Sequence, residues 1–212
     1  MTLHLQHLAF QRNNVFLFDG LHLELQPGEM LQVRGENGCG KSTLLRILAG
    51  YLRPETGTVL WRGKNIFQTL DDYSEAICFL GHQNGVKSHL TVYENLKLVS
   101  ALSGVKCQRD SLKKILQMMG LSSVEKMQAM TLSAGQKRRL ALSRLQLVLR
   151  RLWILDEPLT ALDEAGHALF KNMLEKHLAS GGMAVVATHH DLKINDTMKT
   201  LVLGGEEKKI HV

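Results

Sequence analysis

Apolar and polar residues alternate in the first part of the chain. Leucines alternate with polar residues over positions 3–8 and again over 21–25, just before a turn at Pro27-Gly28. A repeat of two residues is typical of strands that bury one face. The sequence therefore predicts a β-rich opening.

A glycine-rich segment then separates a strand from a helix. Met30–Arg34 has the apolar character of a short strand, and Ser42–Ala49 has helical spacing and ends before Gly50. Residues 35–40, between them, are rich in glycine. This order predicts a strand, a tight loop and a helix.

Strands and helices continue to alternate downstream. Strands at Val59–Trp61 and Ala76–Leu80 are predicted to continue the sheet. From about 92 to 129, apolar residues recur at spacings of three and four, which indicates an inserted helical subdomain. A helix after Ser133 is followed by a predicted strand, helix and strand at Leu152–Leu155, Glu164–Leu178 and Met183–Thr188. Strands alternating with helices predict an α/β fold with a parallel sheet, and the tail from Gly204 is read as a short polar end.

Composition limits the class of protein. With 212 residues, 44% apolar and 22% charged, the chain predicts one globular domain. The formal charge of +6 indicates an anionic partner such as a nucleotide, a nucleic acid or an acidic leaflet. No stretch approaches the roughly 20 apolar residues of a membrane span, and the first residues lack a signal-peptide pattern. Cys39, Cys78 and Cys107 form no CxxC pair, so we expect reduced thiols in the cytosol and neither a disulfide nor zinc.

The glycine-rich loop fits the pattern G-x-x-x-x-G-K-[ST]. Its residues are Gly35, Glu36, Asn37, Gly38, Cys39, Gly40, Lys41, Ser42 and Thr43. Glycines let the backbone curl until successive N–H groups face one anion, and the next helix adds the positive end of its dipole. In such a loop Lys41 reaches the β- and γ-phosphates, and the Ser42 hydroxyl holds Mg²⁺. The loop therefore predicts a site for ATP or a similar nucleotide.

Two acidic residues follow a buried strand. Asp156 and Glu157 come directly after Leu152–Leu155, so they are expected at the carboxyl edge of the sheet, where ligands bind in such folds. Asp156 can then hold the Mg²⁺ shell. Glu157 can polarise a water molecule for attack on the γ-phosphate.

A third motif separates this chain from other phosphate-loop proteins. Leu132-Ser133-Ala134-Gly135-Gln136 opens a helix that continues as Lys137-Arg138-Arg139. The motif resembles the LSGGQ signature of the ATP-binding cassette (ABC) ATPases, with Ala134 in place of the first glycine. The resemblance implies one ABC-type P-loop NTPase domain over 1–212. That domain has a β-rich N-terminal subdomain, a parallel-sheet core and a helical subdomain over about 92–145.

The same resemblance implies that two chains share each nucleotide. Ser133 at the start of its helix offers an anion site that has no nucleotide in its own chain. In the family, the residues matching Ser133, Gly135 and Gln136 contact ATP held by the partner's phosphate-loop lysine, here Lys41. A head-to-tail homodimer in the ATP-bound state follows, with two equivalent sites.

The resemblance also assigns roles to residues in three loops. Gln83 matches the loop glutamine that senses Mg²⁺ and faces the membrane partner. Asp163, in Ala161-Leu162-Asp163, matches the loop that crosses the dimer interface. His189 matches the switch histidine and is preferred to His190 because it lies closer to the end of the preceding strand.

Adenine recognition departs from the family pattern. The family often stacks an aromatic residue on adenine at a position that Arg12 occupies here. A guanidinium can also stack on a base, and Phe10 and Phe16 are nearby alternatives. Arg12 is the candidate, with the two phenylalanines left open.

The segment Gly81–Leu96 indicates which group of ABC ATPases the chain resembles. It runs Gly-His-Gln, then Gly-Val-Lys and Leu-Thr before Glu-Asn-Leu. This order is similar to that of the cytochrome c biogenesis ATP-binding proteins, the CcmA family of haem exporters. The resemblance implies a peripheral subunit on the cytoplasmic face of the bacterial inner membrane. Its expected partners are small integral membrane subunits of the cytochrome c maturation system (CcmB/CcmC-like).

Within that family, the work of ATP hydrolysis is described as haem export or as release of a haem-loaded chaperone, and the residues do not choose between them. No direct haem binding is expected, because the chain lacks a Cys-Pro haem motif and CxxCH. The alternatives are the ATPase of another small bacterial exporter and a nucleic-acid-binding regulator. The regulator is disfavoured because aromatic residues make up only 5% of the chain.

Overall fold

The computed structural model describes residues 1–192, 194 and 198–204, and the backbone of 210–211. Its strands are β1 (Leu3–Arg12), β2 (Val15–Leu25), β3 (Met30–Arg34), β4 (Thr56–Trp61), β5 (Lys64–Asn65), β6 (Ile77–Leu80), β7 (Leu152–Asp156), β8 (Met183–Ala187), β9 (Met198–Val202) and β10 (Ile210–His211). Its helices are α1 (Lys41–Leu48), α2 (Leu70–Ser74), α3 (Val92–Leu102), α4 (Arg109–Met118), α5 (Ala134–Leu147) and α6 (Glu164–Ala179). Short 3₁₀ turns lie at Ser122–Val124 and Ala129–Thr131.

The β-rich opening forms an antiparallel sheet in the order β2-β1-β4-β5. Leu3 on β1 pairs with Leu25 on β2 and with Trp61 on β4, and all three side chains are buried. This arrangement is what a period of two predicts, because one face of each strand turns to the core.

The second sheet has the order β10-β9-β3-β8-β7-β6. β3 runs parallel to both of its neighbours, and β7 runs parallel to β8. Every residue of β7 and β8 is buried, as expected for central strands of a parallel sheet covered on both faces. Val33 and Asp156 both pair with Ala187, so the carboxyl ends of β3, β7 and β8 lie at one edge.

The chain forms two compact units. The first comprises Met1–Phe79, Arg150–Glu157 and the described residues of Leu174–Val212. The second comprises Leu80–Leu149 and Pro158–Met173. In the second unit, α3, α4 and α5 pack against one another. Among the described residues, no helix combines the length and hydropathy that crossing a membrane requires.

Some sequence predictions need correction. The strands predicted as one continuing sheet lie apart, because β4 joins the antiparallel sheet and β6 the parallel one. The polar link at 71–75 contains the short helix α2, and the helical stretch from 92 ends at Met118, before the 3₁₀ turns. β9 was not predicted, because its polar and apolar residues follow no strand pattern. It forms a strand by pairing with β3, which is distant in the chain. The end that was read as polar includes backbone strand at 210–211, while 205–209 lie outside the described residues.

A stacked pair of rings fixes β7 to α6. The rings of Trp153 and His177 lie 3.9 Å apart, with their planes 8° from parallel. His177 Nε2 lies 3.0 Å from the Met183 carbonyl oxygen. Gly182 leaves room for this ring, because a Cβ there would lie 2.3 Å from His177 Cε1. Burial lowers the pKa of His177, since a desolvated imidazole is harder to protonate.

His177 is therefore expected to make folding more sensitive to acid. Its pKa is lower in the folded chain than the ordinary value of about 6.5. Its contribution to the free energy of unfolding is complete above that value and is lost as pH falls through the lower, folded pKa. Replacing it with glutamine removes this dependence, so the stability gap between wild type and His177→Gln should shrink between about pH 7 and pH 5. Urea denaturation across this range checks it, with the exposed His89→Gln as control. A gap that stays constant would contradict the assignment.

Candidate active site

The phosphate loop needs glycine at two positions for different steric reasons. Gly35 has φ 141°, and a Cβ there would lie 2.4 Å from the Leu203 carbonyl oxygen. Gly40 has φ 107°, and its Cβ would approach Leu17 Cβ to 3.0 Å. Gly38 also has a positive φ, of 85°, but its Cβ would meet open space. The loop is therefore held tightly at both ends and is open in the middle.

Lys41 crosses back over this loop. Its Nζ donates to the carbonyl oxygens of Gly35 (2.7 Å) and Glu36 (2.8 Å), and the residue is only 8% exposed. Lys41 is also the first residue of α1, and half-buried Ser42 and Thr43 follow it in the first turn. A buried ammonium group, free helical N–H groups and a hydroxyl thus converge at one place, an arrangement suited to a phosphate.

The two acids occupy the carboxyl end of β7, as predicted. Asp156 is 5% exposed and is the last residue of the strand. Glu157 has φ 48°, an uncommon conformation for a residue with a side chain, and its N–H donates to the Ala187 carbonyl oxygen (2.8 Å). This bond fixes the turn after β7 against β8. Backbone strain at such a turn is typical of functional sites.

His189 lies beside Glu157. Its Nε2 is 3.5 Å from Glu157 Oε1 and 3.3 Å from Oδ1 of Asn37 in the phosphate loop. The His189 side chain remains 53% exposed. The N–H of His190 instead donates to the Thr188 hydroxyl (3.1 Å). The structure therefore brings His189, the candidate preferred from the sequence, to the carboxylate and the loop.

The signature motif begins α5 with a capping box. The Ser133 hydroxyl accepts from the Gln136 N–H (3.2 Å), and the Gln136 side chain accepts from the Ser133 N–H (3.0 Å). A Cβ on Gly135 would lie 2.9 Å from the Ala161 carbonyl oxygen, so glycine fits there. Ala134 is exposed, which explains how alanine can take the place of the first signature glycine.

Asp163 is tied to the same helix. Arg139 of α5 lies 2.6 Å from Asp163 Oδ1, which also accepts from the Gly166 N–H (2.9 Å). The Arg139 hydrogen bond, followed by that from Gly166, holds the pKa of Asp163 below its usual range. Asp163 is therefore a fixed anion beside the signature helix.

Gln83 is an exposed residue in a loop that α5 holds in place. Buried Arg138 donates from Nη1 to Asn84 Oδ1 (2.9 Å) and from Nε to the Pro158 carbonyl oxygen (3.0 Å). Arg144 donates to the Gly85 carbonyl oxygen (2.5 Å). The helix that begins with the signature thus fixes the chain just after Gln83.

The inward contacts of these arginines were not predicted from the sequence. The run of three cationic residues at 137–139 could have indicated one of these contacts. Three consecutive side chains on a packed helix cannot all face solvent, so one of them must turn inward. Which of them turns inward depends on where the loops at Asn84 and Pro158 lie, and the local pattern does not contain that information.

The adenine candidates differ in exposure. Arg12 ends β1 and is exposed, while Phe10 packs against Phe18 with ring centroids 6.4 Å apart. Phe16 is 57% exposed, and its neighbour Leu17 lies against the phosphate loop at Gly40. Arg12 and Phe16 both keep side chains available for stacking, so Arg12 stays a prediction.

The chain is similar to known proteins over most of its length. Residues 18–160 match the family model described as ABC transporter. The chain belongs to the ABC transporter family. Two curated relatives are cytochrome c biogenesis ATP-binding export proteins. CcmA of Methylococcus capsulatus is 46% identical over 192 residues, with 91% of this chain and 93% of that protein covered. CcmA 2 of Cupriavidus metallidurans is 43% identical over 191 residues, with 90% of each covered.

Solved structures show the same fold. An ATP-binding subunit of an ABC transporter gives a TM-score of 0.87 at 20% identity, covering 99% of this chain and 90% of that chain. A dimeric ATP-binding cassette bound to ADP and Pi, in a post-hydrolysis state, gives 0.83 at 22% identity, covering 98% of each. The predicted α/β fold of the ABC ATPases, with its parallel-sheet core, is thereby confirmed.

Removal of the Arg138 guanidinium should destabilise the second unit. Arg138→Met leaves the Pro158 carbonyl and the Asn84 side chain without this donor, which we expect to cost about 1–3 kcal/mol. Lys137→Met, one residue away but half-exposed, should change stability by less than about 0.5 kcal/mol. Urea denaturation compares the two. Equal effects would show that the inward contacts of Arg138 carry no stability.

Proposed function

We propose that this chain is the ATP-hydrolysing subunit of an ABC transporter complex that serves c-type cytochrome biogenesis, in haem export or release of the haem-loaded chaperone. ATPase chemistry coupled to transport is the activity of its family. The observation that carries the proposal is the placement of Glu157 and His189 together beside the phosphate loop, 3.5 Å apart. The names of the relatives supply the pathway.

The phosphate loop is proposed to bind the triphosphate of ATP. Lys41 already has its ammonium group at the loop, where phosphate oxygens can replace the carbonyls of Gly35 and Glu36 as acceptors. The Ser42 hydroxyl and the buried Asp156 carboxylate offer the hard oxygen ligands that Mg²⁺ prefers, so these residues fit the ion. When bound, Mg²⁺ neutralises phosphate charge. Gln83 is proposed as a further ligand on the family resemblance alone.

Glu157 is proposed to activate the attacking water. Its carboxylate accepts a water proton while the water oxygen attacks the γ-phosphorus. The bond between that phosphorus and the bridging oxygen breaks, and its electron pair leaves with ADP. Phosphate is the other product, and the proton passes from Glu157 to phosphate or solvent. His189, which lies 3.5 Å from Glu157, is proposed to orient that carboxylate and to contact the γ-phosphate.

The second chain is proposed to complete each site. Ser133, Gly135 and Gln136 begin α5 at an exposed helix start, which suits contact with phosphate oxygens presented by a partner. Asp163 lies beside this helix through Arg139. In a head-to-tail homodimer, residues of both chains would therefore contact each ATP. ATP binding would then close the dimer, and hydrolysis would reopen it.

The proposed location is peripheral, on the cytoplasmic face of the bacterial inner membrane. The partners are proposed to be small integral membrane subunits resembling CcmB and CcmC, as the relatives' part in cytochrome c biogenesis supports. Neither nucleic acid nor haem is proposed as a direct ligand.

Removal of the proposed base should separate binding from turnover. Glu157→Gln keeps the size and hydrogen-bonding shape but loses the basic carboxylate, so turnover should fall about 10²- to 10⁴-fold. ATP affinity should stay near that of wild type, and light scattering should show a dimer with ATP. Lys41→Ala should lose ATP binding, and Glu164→Gln, an exposed acid early in α6, is the matched control. Undiminished turnover in Glu157→Gln would reject the role.

Complementation tests the pathway. A bacterium lacking its own cytochrome c maturation ATPase should regain covalent haem staining of c-type cytochromes with wild type and not with Glu157→Gln. A well-expressed wild type that has ATPase activity but restores no haem attachment would contradict the pathway and indicate another small exporter.

A further inference from the structure

Gln32 is a buried polar residue in the middle of β3. Its exposure is 0%, and its neighbours along the strand, Leu31 and Val33, are equally buried and apolar. The Gln32 Nε2 donates to the His190 carbonyl oxygen at 2.7 Å. Among the described residues, the Gln32 side-chain oxygen Oε1 is buried and has no hydrogen-bond partner.

This arrangement does not favour stability. A buried acceptor without a partner loses its bonds to water and regains none in the fold. Methionine has nearly the same length, carries no such acceptor and packs well in irregular core space. Packing does not explain why an amide side chain occupies this position. Its hydrogen bond to the His190 carbonyl oxygen, just after His189, does.

A second side chain of β3 holds the same segment. Residues two apart on a strand point to the same side, and Arg34, two positions after Gln32, donates to Asp191 Oδ1 at 2.7 Å. The Thr188 N–H points back to the Val33 carbonyl oxygen at 3.4 Å. The backbone around His189 is thus anchored to β3 on both sides.

The His189 side chain has fewer constraints of its own. It is 53% exposed, and its described partners are the Glu157 carboxylate and Asn37 Oδ1, both at the long end of hydrogen-bond range. Its position must therefore come mainly from its backbone. β3 also leads directly into the phosphate loop at Gly35, so one strand fixes both the loop and the segment that carries the histidine.

We propose that Gln32 is a positioning residue for the reaction: its amide holds the His190 carbonyl so that His189 stays beside Glu157. This inference rests on the proposed role of His189 in ATP hydrolysis. It predicts that the amide matters for turnover while contributing nothing favourable to global stability, a combination that a merely structural residue does not produce.

The test compares wild type, Gln32→Met and Leu31→Met as full-length chains. Gln32→Met should show an equal or higher Tm and an ATP Kd within about twofold of wild type. Its kcat should fall roughly tenfold to a hundredfold, since small misplacements of a catalytic group cost this much. Amide hydrogen exchange should become faster over 188–192 and stay unchanged in β7. Leu31→Met, which changes the packing of the same strand and keeps the Gln32 amide, should match wild type in kcat, in ATP Kd and in exchange over 188–192, and its Tm shows the effect of the packing change alone.

Two results would overturn the inference. One is a Gln32→Met variant with the kcat and exchange of wild type. The other is a joint loss of Tm and ATP affinity, which would make Gln32 a structural residue. If wild type binds ATP but does not hydrolyse it, the proposed function fails separately. Exchange over 188–192 then decides alone: faster exchange in Gln32→Met supports the anchor, and unchanged exchange rejects it.

Discussion

The parallel pairing of β3, β8 and β7 is the constraint on which the site depends. Because Val33 and Asp156 both pair with Ala187, the three strands end at the same level. The phosphate loop, the two acids and the histidine segment each leave the sheet at that level. His189 is thereby brought within 3.5 Å of Glu157 and 3.3 Å of Asn37, both of which are far from it in the chain.

The second unit is organised around one helix. α5 begins with the capped signature motif, and its arginines then reach two loops: Arg138 and Arg139 contact the loop after β7, and Arg138 and Arg144 contact the loop after β6. Arginine suits this use because its planar group donates in several directions from one position. The loop at Gln83 and the loop at Asp163 are therefore fixed to the same rigid element as Ser133. The three sites are thus tied to one helix, as the proposed coupling of ATP to a membrane partner requires.

The chemistry with local signatures could be predicted from the sequence. The phosphate loop is readable because glycine spacing, lysine and hydroxyl are contiguous, and Asp156-Glu157 because an apolar strand precedes them. β9 could not be predicted, since its pattern is mixed and its partner β3 is distant in the chain. The hydrogen bonds of Gln32 and Arg138 could not be predicted for the same reason. Each side chain donates to a backbone carbonyl that is distant in the chain, and only the folded structure defines where that carbonyl lies.

The proposed mechanism depends on each ATP being contacted by two chains. Cys39 in the phosphate loop allows this to be tested directly by cross-linking. A Ser133→Cys chain, also carrying Glu157→Gln and with Cys78 and Cys107 replaced by serine, is treated with a short thiol cross-linker. The account predicts a covalent dimer, joined between Cys39 of one chain and position 133 of the other, that forms with ATP and Mg²⁺ and is lost with Lys41→Ala. A chain that binds ATP but gives no ATP-dependent covalent dimer would contradict it.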